Sequence, residues 1–245
     1  MASSSETGHA KNVANFENLI TVCKGFGADY NPTRATIAIP ALTALLENAQ
    51  NTLKTFRPIE TAYNNATNAR EIAFEPLKKL STQVMNALKG TGAMQQTVND
   101  ANTHHLKIQG RRASAKKTPT PASDTKNQQQ PKTISTSQLS FDSLVENFAS
   151  LIETLKAEPL YIPNEANLQV TSLSALLGDL TAKNKAVGIA ETDYDNALIN
   201  RNKVLYAPET GLYATTLAVK AYVKSVYPVG TAQLKQLTSL KFTNL

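Results

Sequence analysis

The chain has no tryptophan, one cysteine and three histidines in 245 residues, and aromatics make up only 6% of it. Each shortage closes off a class of protein. The lone Cys23 cannot form an intrachain disulfide or contribute to a Cys-based zinc cluster. It ends the apolar first helix with no histidine nearby in sequence, so a buried, inert thiol is expected. Two of the histidines are the adjacent pair His104 and His105, which leaves little material for a Ser-His-Asp arrangement. No G-x-S-x-G, H-E-x-x-H, C-x-x-C or phosphate-cradling glycine loop occurs. Asp100 and His104 share a helix face at a spacing of four, but a catalytic zinc wants three protein ligands. The matching positions of the second half hold no histidine. A non-enzymatic protein without metal or cofactor is the expectation.

Long apolar runs are also missing. The most apolar stretch, IAIPALTALL at 37–46, is about half of a membrane span and contains a proline. The opening MASSSETGHAKN lacks a basic segment followed by an apolar one. No transmembrane segment and no secretory leader are therefore expected, and a cytoplasmic location follows by default. Hydrophobic residues still reach 41%, enough for folded cores. With so few aromatics those cores must be built from Leu, Val, Ile and Ala, a composition suited to helix packing.

The net charge of +6 is concentrated in one place. Between 110 and 140, Arg111, Arg112, Lys116, Lys117, Lys126 and Lys132 face only Asp124, a local excess of +5. The flanking regions carry +2 and −1. The same stretch, GRRASAKKTPTPASDTKNQQQPKTISTSQ, is rich in Pro, Ser, Thr, Gln and Lys and nearly devoid of large apolar residues. Such a segment cannot bury enough surface to offset its ordering entropy, so 109–140 reads as a flexible basic linker.

What the chain does contain is a repetition. YNNATNAR at 63–70 returns as YDNALINR at 194–201, and an ungapped alignment of 30–74 with 161–205 holds 14 identities in 45 positions. Roughly three would be expected from average composition. Upstream, VANFENLI at 13–20 matches VENFASLI at 145–152, and downstream LKI at 106–108 meets LKF at 240–242. The duplication covers 12–108 and about 141–245, with an unstructured N-terminus expected over 1–11. In each half, apolar residues at i, i+3, i+6 and i+7 predict a first helix. A brief alternation follows (Ala35-Ile37-Ile39, Ala166-Leu168-Val170) that suggests extended chain. A helix of about 35 residues comes next, opened by Pro40 at its first position and by Thr171 as an N-cap. Leu42, Ala49, Phe56 and Tyr63 form an apolar row on it, repeated as Leu173, Leu180, Val187 and Tyr194. Pro58 should kink the first long helix, and Gly188 marks a soft point in the second. Helices over 77–89 and 212–226, then 93–108 and 231–242, complete the set. The predicted fold is all-α: two homologous four-helix repeats, each with one long coiled-coil-like helix, related by a pseudo-two-fold.

The polar residues common to both repeats are the candidate interaction set: Glu60, Tyr63 and Arg70 with Glu191, Tyr194 and Arg201. They could line a twinned groove for a peptide or anionic ligand. The alternative is that Tyr and Arg bury their stems and satisfy their polar tips within the bundle. Arg111, Arg112, Lys116 and Lys117 are candidate contacts to a polyanion, whose released counterions would drive sequence-blind binding. No aromatic accompanies them to stack bases.

YIPNEANLQVTSL at 161–173, the stretch Tyr194–Tyr206, and the ending VKSVY…KQLTSLKFT resemble an uncharacterised family of two-repeat proteins of Bacteroidetes-type bacteria. The resemblance implies a bacterial origin and a two-repeat architecture. It implies no activity or site residue. A scaffold or adaptor acting by protein–protein contact or self-association is therefore expected, with nucleic-acid association through the basic linker as the alternative. A small ligand seated in each bundle is a third possibility.

Overall fold

A computed structural model describes residues 8–111 and 139–245. Among these there are eight α-helices and no strand: α1 His9–Gly25, α2 Ile39–Phe74, α3 Leu77–Gly90, α4 Gln95–Ile108, α5 Phe141–Lys156, α6 Val170–Tyr206, α7 Leu212–Val226 and α8 Ala232–Thr238. No helix among the described residues is long and apolar enough to cross a membrane.

Several local expectations are corrected. Helix α1 begins at His9, not after residue 11, and its first turn is closed by the Asn12 amide donating to the Gly8 carbonyl. The supposed extended stretches are single 3-10 turns, Ala35–Ile37 and Ala166–Leu168. Each is pinned by a tyrosine: the Tyr30 hydroxyl donates to the Ile37 carbonyl at 2.6 Å, and Tyr161 does the same to Leu168 at 2.9 Å. Both bonds are buried, so burial raises both phenol pKa values, that of Tyr161 to about 12. Thr171 lies inside α6 and is not its cap. Helix α2 continues through Pro58, whose missing amide leaves the Lys54 carbonyl without its helical donor. The last helix stops at Thr238, and 239–245 is not helical. Most of 109–140 lies outside the described residues. Its two flanks are ordered: Gly110 (φ 73°) ends α4 in a left-handed turn closed by the Arg111 amide on the Leu106 carbonyl, and Ser140 caps α5.

The chain packs as two compact units that do not coincide with the repeats. Unit 1 joins Met1–Asn64 to Ile189–Leu245, and unit 2 is Asn65–Gly188. Length explains the mismatch. The 36 residues of α2 extend about 54 Å, whereas the 14 to 17 residues of α1, α3 and α4 extend roughly 20–26 Å. One set of short neighbours cannot cover one long helix, so α2 and α6 each give one end to each unit. The core of unit 1 gathers Phe16, Leu19 and Leu42 with Leu205, Leu212 and Val219. The core of unit 2 gathers Leu77, Val84 and Leu88 with Phe148, Leu151 and Leu173. Of the apolar rows read from the sequence, Leu42, Ala49 and Phe56, and Leu173, Leu180 and Val187, are buried, whereas Tyr63 and Tyr194 are half-exposed.

Candidate interaction surface

In unit 1 the C-terminal part of the Ile39–Asn64 stretch of α2 lies beside the α6 stretch that starts at Ile189. Tyr63 and Tyr194 stack at 5.1 Å between centroids with planes 12° apart. Tyr194 also meets Phe56 at 5.6 Å, and the Arg201 guanidinium sits 4.7 Å above the Phe56 ring. The result is a row, Tyr63–Tyr194–Phe56–Arg201, in which only Phe56 is fully buried. Each ring pair adds about 0.5–1.5 kcal/mol beyond area burial, and the cation over Phe56 about 0.5–1 kcal/mol. Arg201 Nε and Nη2 donate to Asn202 Oδ1 at 3.2 and 3.1 Å. Glu60 and Glu191 are exposed on the same two helices.

The two tyrosines that the repeat duplicates therefore form one stack, not a twinned groove. Arg70 is separated from them and belongs to unit 2. Its guanidinium lies 4.1 Å above Phe141, and Nη1 donates to Asn184 Oδ1 at 3.2 Å. Asn184 passes the contact on, donating to Asp142 at 2.6 Å. Arg70 Nε and Thr67 Oγ1 are buried without a hydrogen-bond partner. Near Asp142 a depression of about 410 Å³ is lined by Lys107, Asp142, Ser143, Glu146 and Asn147. Of the six expected residues, three are brought into one row, two flank it, and Arg70 is elsewhere.

A second constellation in unit 1 was not anticipated. The segment after α8 runs non-helically past α1, and two buried asparagines hold its backbone. Asn12 Nδ2 donates to the Thr243 carbonyl at 2.7 Å while Asn12 Oδ1 accepts the Thr243 amide at 3.0 Å. Asn15 Nδ2 donates to the Lys241 carbonyl at 2.7 Å. From α7, Lys220 Nζ donates to the Leu240 carbonyl at 2.5 Å and lies 5.0 Å from the Phe242 ring centre. Burial, aided by Lys224, lowers the Lys220 pKa. The available signal was Asn12 and Asn15 on the apolar side of an amphipathic helix, where an amide must find a partner.

The remaining candidates are local. Cys23 is fully buried, and burial raises its thiol pKa to about 11, against a smaller opposing effect from Tyr30. His104 and His105 are held below the ordinary histidine range, first by burial and then by Lys107 for one and Lys89 with Arg111 for the other. Among the described residues no cluster of three His, Cys, Asp or Glu could hold a metal ion. Arg111 is exposed just beyond α4, while Arg112, Lys116 and Lys117 lie outside the described residues. No protein-family model matches the chain, and no curated protein or solved structure is significantly similar to it.

Proposed function

We propose that the chain is a non-enzymatic helical adaptor that engages a protein partner through the Tyr63–Tyr194–Phe56–Arg201 row of unit 1. One observation carries the reading: two half-exposed tyrosines are already stacked on each other, with an arginine fixed over the adjoining ring. Tyr and Arg dominate the energetics of protein interfaces. Rings that are paired beforehand lose little freedom when a partner covers them. Glu60 and Glu191, exposed on the same two helices, supply a charged rim. The same reading makes the two repeats, 12–108 and 141–245, sister copies of one ancestral helical fold, joined through 109–140.

The test compares the proteins retained from native-cell extract by the intact chain and by a Tyr63→Ala/Tyr194→Ala variant of unchanged helicity. Loss of a specific partner from the variant, with at least a ten-fold weaker affinity for that partner once purified, is expected. Identical capture by both would end the proposal.

A further inference from the structure

The buried asparagines of α1 grip backbone, and backbone is common to every peptide. Asn12 meets both the amide and the carbonyl of Thr243, as one residue of a strand meets its neighbour in a ladder, and Asn15 takes the carbonyl two residues earlier. Between these anchor points Leu240 and Phe242 lie against the unit 1 core, while Lys241 is exposed. Alternation of this kind is how extended peptides are recognised: main-chain bonds give affinity and alternate side chains give selectivity.

Two features set the segment apart from the core it packs against. The asparagines beneath it are 2% and 8% exposed, yet every residue of 239–245 is exposed or only half-buried. The segment covers the asparagines while its own outer side faces solvent. Moreover, unit 2 closes without any such grip. There the related LKI stretch remains helical in α4, packed on α5; the position matching Asn12 is the buried Leu144, and Asn147, matching Asn15, bonds the Ser143 carbonyl of its own helix at 2.7 Å. A helix satisfies its own backbone and wants an apolar neighbour. An extended chain carries free amides and carbonyls and wants an amide neighbour. Asn12 suits the second case only.

We propose that the groove between α1 and α7 is a binding site for an extended peptide of Leu-x-Phe-Thr character, which residues 240–243 occupy in cis. The partner is a segment of another protein with apolar residues two apart, and it competes with the chain's own segment. This site is distinct from the aromatic row, so it stands or falls independently of the proposed adaptor surface.

The probe is a fluorescent peptide of residues 239–245, followed by anisotropy. A full chain carrying Leu240→Ser and Phe242→Ser, with its groove unaltered, should bind the probe at least ten-fold tighter than the unaltered chain. Adding Asn12→Ala to that variant should remove at least ten-fold of the affinity. Absence of binding, or equal binding with and without Asn12, overturns the proposal. So do concentration-dependent dimers of the unaltered chain that vanish with Asn12→Ala, which would assign the groove to a second copy. Amide exchange on the unaltered chain gives a measurement free of folding artefacts. Thr243 should be protected relative to a free peptide yet exchange at least 100-fold faster than Leu19 in α1. Exchange as slow as Leu19 would make the segment fixed core, and exchange as fast as a free peptide would mean no grip exists; either result overturns the site.

Discussion

Units 1 and 2 use nearly the same tripeptide to close, and close differently. Leu106-Lys107-Ile108 ends the 14-residue α4 of unit 2, whereas Leu240-Lys241-Phe242 follows the seven-residue α8 of unit 1 as non-helical chain. The surfaces beneath the two tripeptides differ as well. Leu144 and a back-bonded Asn147 on α5 offer α4 an apolar face, while Asn12 and Asn15 on α1 offer amides to an open backbone. Of these two positions only one differs in residue type, Asn12 against Leu144, and it separates a grip on peptide bonds from an apolar packing surface.

The sharpest way to break the comparison is to cut the chain between the repeats. Because each core draws on both repeats, residues 1–111 and 139–245 expressed separately should each lose most of their helicity or self-associate, and mixing them should restore the circular-dichroism signal of the intact chain. Two monomeric halves that melt as the whole does would mean the units are not shared. Next in size are Phe16→Ala and Phe148→Ala, which empty equivalent, fully buried positions in the two cores. Each should cost about 3–5 kcal/mol in urea unfolding. Because they sit in different cores, the double variant should be nearly additive.

Smaller, and aimed at the closure itself, are the reciprocal changes Leu144→Asn and Asn12→Leu. The first buries an amide against a helix whose backbone is already bonded, and should cost at least about 2 kcal/mol. The second strands the Thr243 amide and carbonyl, which can recover water, and should cost about 1 kcal/mol by the same unfolding measurement. A larger loss for Asn12→Leu would invert the argument.

The mildest effect is expected from pH. His9, His104 and His105 all have folded-state pKa values lowered chiefly by burial, so below about 6.5 the unfolded chain binds more protons than the folded one. Stability therefore rises with pH through that window and falls on acidification, and Tm at pH 5.5 should lie below Tm at pH 7.5. Two of the three histidines belong to unit 2, so a His104→Gln/His105→Gln variant should lose more of this pH dependence than His9→Gln.

Much of the secondary structure was legible in advance. The apolar row spaced by seven located α2 and α6 and named their buried residues, because a helix face repeats on that period whatever it packs against. The repeat also signalled Tyr30 and Tyr161, whose role as hydroxyl donors to a 3-10 turn became visible only with the carbonyls of Ile37 and Leu168 in place. Part of the candidate surface was readable. Tyr63, Tyr194 and Arg201 were named from their recurrence, but recurrence suggested two equivalent sites, and the fold placed the tyrosines against each other and sent Arg70 to the other unit. Phe56 was read only as a core residue, since nothing in a single helix reveals that a cation from α6 covers it.

The sequence by itself determined the all-helical class and the approximate places of the helices, since periodicity and turn residues act over a few residues at a time. Tertiary structure alone decided which ends share a core and which asparagine meets a backbone. Those contacts join residues such as Asn12 and Thr243, 231 positions apart, and depend on which surfaces a 54 Å helix leaves for its shorter neighbours to cover.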